Sequence, residues 1–119
     1  MTSRDDSTEN FSVLVAMLRA LASDRDEHIR WYVANNPATP ADVLGDLAGD
    51  PDILVRFCVA GNPAVPATLL TLMASDTDDN VRENVAKNPS TPVEVLRKLS
   101  DDENKYVGIA AVSNTSLSL

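Results

Sequence analysis

The side chains able to do chemistry here are few in kind and regular in spacing. His28 is the one histidine and Cys58 the one thiol. They fall at different positions of successive helical segments, so neither a nucleophile–base pair nor a metal-ligand set can be assembled around them. A lone cysteine excludes an intrachain disulfide and any cysteine-based zinc or iron–sulfur site, and it suits a reducing compartment. Asp24, Asp50, Asp76 and Asp102 form an acidic series, and Asp26, Asp52 and Asp78 follow two residues behind its first three members. The D-x-D pairs resemble the wording of a calcium loop. They lack the glycine of its turn and the terminal bidentate glutamate, so they read better as helix N-caps. Four glycines, at 45, 49, 61 and 108, are too scattered for a phosphate loop. No catalytic constellation converges, and no enzyme activity and no cofactor are expected.

The same residues carry a different message. Arg30, Arg56 and Arg82 stand at a fixed offset from the aspartates. That alternation predicts arginine forks laid onto carboxylates rather than a basic ladder for an acidic ligand. Asn36, Asn62, Asn88 and Asn114 recur at the same interval, and their amides are expected to satisfy loop N–H and C=O groups between layers. The interval is 26 residues, from Asn36 to Asn62 to Asn88. It defines four segments, 10–35, 36–61, 62–87 and 88–113. Leu18, Leu44, Leu70 and Leu96 share one column, and Leu21, Leu47, Met73 and Leu99 another. Ile29, Val55, Val81 and Val107 form a β-branched column, with Val33, Val59, Val85 and Ala111 one turn further on.

Each segment contains two short helical patterns. The first is expected to open on Thr39-Pro40 or Thr91-Pro92, with threonine as N-cap and proline at the first helical position. Asp42 and Glu94 then complete an approximate capping box, which Val65 breaks in the third copy. Apolar residues at 43, 44, 47 and 48 make one helical face, and Gly49 with Pro51 ends it. The second pattern starts after Asp26, Asp52, Asp78 or Asn104 and must stop before each Asn-Pro. At about eight residues it suits an α-helix or a partly 3₁₀ one. Neither helix is stable alone at such a length. One unit cannot cover its own apolar side, so the units stack as a solenoid.

The stretches "VRFCVAGNPAVPATLLTLMASDTD" and "VRENVAKNPSTPVEVLRKLSDDEN" carry the pattern V-R-x-x-V-A-x-N-P-x-x-P-x-x-[VL]-L-x-x-[LM]. It resembles the leucine-rich repeat variant family over about residues 10 to 114. The resemblance implies a right-handed superhelix of paired helices, one α and the other α or 3₁₀, similar in outline to HEAT-type solenoids. The fold class expected is thus all-α: a right-handed solenoid of about four 26-residue two-helix repeats over residues 10–119, behind a disordered polar tail over 1–9. The best-known member of the family carries a cysteine-rich iron–sulfur module before its repeats, which Cys58 alone cannot supply. The last unit departs from the pattern. Gly108 stands where the arginines stand and Thr115 replaces the proline, so the unit resembles an end cap or an oligomer contact.

Variation between copies marks the candidate binding surface. Within the second helix, positions 29, 30, 33 and 34 stay nearly fixed while 31, 32 and 35 vary. At about 100° per residue the variable positions share one arc. That arc brings together Trp31, Tyr32, Phe57, Glu83 and Ile109, with Cys58, Asn84 and Ala110 beside them. Aromatic anchors in mixed polar surroundings suit a protein or peptide partner. The net charge of −8, from 18 acidic and 10 basic residues, favours a basic partner. It disfavours nucleic acid and an anionic membrane surface, which need lysine and arginine. Two rivals stand beside this reading. A HEAT-like nucleic-acid enzyme would need a basic groove, and an immunity or antitoxin-type inhibitor is allowed by size and acidity. The start, "MTSRDDSTEN", is no signal peptide, no apolar run reaches the length of a membrane span, and the cytoplasm is the expected compartment. "SNTSLSL" gives the C-terminal end little polar cover, which points to a homodimer through a solenoid end.

Overall fold

The computed structural model describes residues 3–116, with side chains from residue 8 onward. Among the described residues there are eight α-helices and no strand: α1 (Ser3–Leu21), α2 (Glu27–Asn35), α3 (Ala41–Leu47), α4 (Ile53–Gly61), α5 (Ala67–Met73), α6 (Asp79–Lys87), α7 (Val93–Ser100) and α8 (Lys105–Ser113). They pair at the expected period into four units. The second helices, α2, α4, α6 and α8, pack on one another in series, and α7 packs closely on α8. The stack measures 55 × 34 × 17 Å.

The sequence columns become the core. Leu18, Leu44, Leu70 and Leu96 are buried, as are Val55, Val81 and Val107 and the column from Val33 to Ala111. The first unit follows less well: Leu21 is exposed and Ile29 half-buried, because no earlier unit lies against them in the structure. All four second helices are α-helical throughout. Their N-caps are Asp26, Asp52, Asp78 and Asn104, each accepting from the first-turn N–H groups. The first three end on an asparagine with extended backbone, as the following proline requires, and α8 ends the same way at Asn114, with Thr115 in place of the proline.

Two expectations need correction. The disordered tail expected over residues 1–9 is helical from Ser3 onward, while Met1 and Thr2 lie outside the described residues. No glycine or proline interrupts the run. The threonines, in turn, do not cap the helices that follow them. Helices α3 and α7 begin one residue later than expected, with Pro40 and Pro92 as N-caps and no side-chain cap. The hydroxyl of Thr39 instead donates to the Val33 carbonyl at 2.6 Å, and that of Thr91 to the Val85 carbonyl at 2.6 Å. Those carbonyls lie in the last turn of a helix that Asn-Pro has forced to stop, where intrahelical donors are scarce. Asp42, placed in a capping box by its spacing, pairs with Arg19 of the preceding unit. That pairing, helped by nearby backbone N–H groups, holds its carboxyl below the usual range.

Two polar devices join each unit to its neighbour. Arg30 lays its fork on Asp50, Arg56 on Asp76 and Arg82 on Asp102, with Nε–carboxylate distances of 2.8, 2.9 and 2.9 Å. The aspartate always belongs to the following unit. The same guanidinium donates back to a carbonyl of its own unit: Asp24, Asp50 or Asp76. Each paired aspartate also accepts the backbone N–H two residues on, holding the turn into the next helix. The second device is the asparagine. The Asn62 amide donates to the carbonyls of Ala34 and Asn36 at 2.7 and 3.1 Å, while its oxygen accepts from the Ala64 N–H at 2.7 Å. Asn88 reaches Ala60, and Asn114 reaches Ala86 and Asn88, in the same way. Asn36 makes the loop bond to the Ala38 N–H, but its amide nitrogen has no acceptor among the described residues.

Asn62→Ala removes three bonds from a buried site and should cost about 2–3 kcal/mol in urea unfolding. Asn36→Ala, which lacks the inter-unit half, should cost under about 1 kcal/mol; equal losses would contradict the assignment. The Arg82→Ala variant strands the largely buried Asp102 carboxylate and should cost about 3 kcal/mol. Arg82 holds that carboxyl below the ordinary range, with the Asn104 N–H assisting and burial opposing. Unfolding returns it to about 4. The contribution is therefore complete above that pH and is lost as acid carries the carboxyl through its lowered folded value. Acid titration of stability should show this loss in the native protein, and Arg82→Ala should flatten it.

Candidate functional site

The stacking of α2, α4, α6 and α8 sets corresponding residues of successive units side by side. Trp31, Phe57, Glu83 and Ile109 occupy one position of that stack, and Tyr32, Cys58, Asn84 and Ala110 the next. They do not share one degree of exposure. Tyr32 is 74% exposed, Ile109 56% and Phe57 37%. Trp31 is half-buried and packs on the core. Its indole N–H donates to the Asp52 carboxylate at 3.3 Å, and its ring tilts against His28 with centroids 4.4 Å apart. Burial raises the Asp52 carboxyl, but the Trp31 bond and the N–H groups of Val55 and Leu54 outweigh it, leaving a net lowering. Trp31 therefore ties the cap of α4 to α2 and is only partly open to solvent.

Glu83 is half-buried and pairs with Lys87 one turn on, at 3.2 Å. Asn84 is turned to structure: its amide donates to the Phe57 carbonyl at 2.8 Å. Gly61 permits this, since a Cβ there would lie 2.6 Å from the Asn84 amide nitrogen. Cys58 is half-buried, and desolvation pushes its thiol up, with a bond to Asn35 opposing. Ala110 is buried. The arc is thus an N-terminal aromatic part around Tyr32 and Phe57, with a C-terminal part around Ile109.

Sequence reasoning missed one column. His28, Leu54, Asn80 and Tyr106 precede the variable positions by three or four residues and so share their face. Leu54 and Tyr106 are exposed large side chains there. The signal was present, since this position varies between copies as freely as position 31. Tyr106 and Ile109 on α8, with Glu83 and Lys87 on α6, line a cleft of about 310 Å³. A second hollow of about 160 Å³ lies one layer earlier, lined by Gly61, Pro63 and Asn84 with Lys87 and Asn88. Lys87 borders both hollows.

Asp26, Glu27 and His28 bring ligand-type atoms within 4.8 Å of one another. All three are exposed, and one Asp26 oxygen is committed to the His28 backbone N–H and ring nitrogen at 2.9 Å each. That arrangement caps a helix. The C-terminal stretch expected to form a homodimer contact runs past the last described residue, Ser116. At the other end of the stack, α1 exposes Val13, Leu14, Met17 and Leu21. Among the described residues no helix is long and apolar enough to cross a membrane.

Comparison with known families finds the Leucine Rich Repeat Variant domain over residues 28–88 and the Leucine rich repeat variant over residues 79–104. No curated protein and no solved structure matches the chain. The first match spans more than half of the 119 residues and contains both devices that join the units. On that evidence the chain belongs to the leucine-rich repeat variant family.

Proposed function

We propose that this protein is a non-enzymatic interaction module that binds a protein or peptide segment across the outer face of α2, α4, α6 and α8. One observation carries the reading. The framework positions of these helices are mostly buried and nearly invariant between units, whereas the positions that differ include exposed large apolar side chains on α2, α4 and α8: Tyr32, Leu54, Phe57, Tyr106 and Ile109. Repeat architecture does not require this, since a solvated face would serve stability as well. Large apolar side chains left exposed on one face mark an interaction site, here in two parts separated by the polar Asn80, Glu83 and Asn84 of α6. The two hollows that meet at Lys87 offer places for side chains of an occupant laid across the helices.

The chemistry of the partner follows from the rim. The turns leading into the second helices carry Asp26, Asp52, Asp78, Asp101 and Glu103, and the helices themselves open on Glu27 and Asp79, along one edge of this face. A basic segment with apolar or aromatic anchors fits that arrangement, the charge steering encounter and the anchors supplying affinity. The lone thiol and acidic surface suit work in the cytoplasm.

The test uses substitutions that leave the framework intact. Phe57→Ala and Ile109→Ala should each weaken capture of the native partner about tenfold or more, as a truncated anchor does. Helical circular dichroism should not change. Trp31→Ala should lower stability as well as binding, because its indole holds Asp52. Undiminished capture by the Phe57→Ala/Ile109→Ala double variant would show that the binding surface lies elsewhere. Retention on a duplex-DNA column at physiological salt would favour the nucleic-acid reading instead.

A further inference from the structure

Three units present the same features to the unit that follows. Each offers an arginine fork, from Arg30, Arg56 or Arg82, which the next aspartate accepts. Each offers an alanine, Ala34, Ala60 or Ala86, that is 0% exposed under the next layer. The carbonyl of that alanine receives the next asparagine amide at 2.7–2.8 Å.

The fourth unit keeps the carbonyls and changes both side chains. Gly108 stands in the arginine column, so there is no fork to extend. A Cβ on Gly108 would lie 3.0 Å from the Ser100 carbonyl oxygen, and its absence lets α8 close on the end of α7. Val112 stands in the alanine column and is 58% exposed. Its two added methyl groups occupy the space into which a next layer would pack, and a well-packed contact does not accept them without strain.

The opposite end retains the receiving chemistry. The Asp24 carboxylate holds the Asp26 N–H at 2.9 Å, as its three counterparts hold theirs, yet among the described residues no arginine reaches it. The Asn36 amide has no acceptor among the described residues. The chain therefore carries a surface for accepting one more unit and an end unable to supply it. We propose that Gly108 and Val112 make the α7–α8 unit a stop, which prevents a second copy of this chain from adding its first unit to the C-terminal end of the stack. The inference uses other residues than the binding face and stands or falls separately from it.

Sedimentation velocity over a wide concentration range tests it with the full chain. The native protein should remain no larger than a dimer. The double variant Gly108→Arg/Val112→Ala should form species that grow with concentration, with self-association at least tenfold tighter. Adding Asp24→Asn, which removes the carboxylate the new arginine would meet, should reverse that growth. If arginine beside the Ser100 carbonyl prevents folding, Val112→Ala alone decides, and it should still associate measurably more than the native chain. Growth of the native protein beyond a dimer would overturn the proposal. So would a folded double variant, or a folded Val112→Ala variant, that associates no more than the native chain. Growth of the double variant that survives Asp24→Asn would overturn the register.

Discussion

A helix that proline cuts short leaves carbonyls without donors, and in this protein the donors come largely from the neighbouring unit. Asn62, Asn88 and Asn114 each reach back one layer to satisfy them. Arg30, Arg56 and Arg82 reach forward to the next aspartate while holding a carbonyl of their own unit. The apolar columns supply a driving force without direction. These bonds supply the direction, because a fork on a carboxylate and an amide on two carbonyls accept one register. Helices of seven to nine residues, too short to persist alone, are thereby fixed in place.

Much of this was legible beforehand because it depends on local chemistry repeated in register. The N-caps at Asp26, Asp52, Asp78 and Asn104 follow from a short acceptor side chain ahead of an apolar turn, and the helix ends follow from Asn-Pro. Pairing of arginine with aspartate was legible from the fixed offset. The partner's place in the next unit was not, since a column of identical aspartates looks the same from either side. The threonines misled for a related reason. Thr-Pro ahead of a helix fits a cap, but the Thr39 hydroxyl donates instead to the Val33 carbonyl in the last turn of the helix just ended. The start of α1 was mistaken for a tail because polarity was weighed above the absence of any helix breaker.

The binding face is less legible, because its residues answer to something outside the chain. Variation between units found Tyr32, Phe57 and Ile109, which are exposed, but the same reasoning selected Trp31, which the Asp52 carboxylate partly claims. It also passed over Leu54 and Tyr106. Within a repeat, a variable position is one that the stack leaves free, and Trp31 shows that a single unit can recruit such a position back into the framework. The frame is over-determined by its neighbours, and the outer face is left to differ from layer to layer.

The claim beneath all of this is that side chains of adjacent units act as one energetic device. A double-mutant cycle on Arg56 and Asp76, read by urea unfolding of the two single alanine variants and the double, measures it directly. A coupling energy of about 2 kcal/mol between the two positions is expected. A coupling below about 0.5 kcal/mol, within the additivity of independent sites, would mean that the units are held together by apolar contact alone.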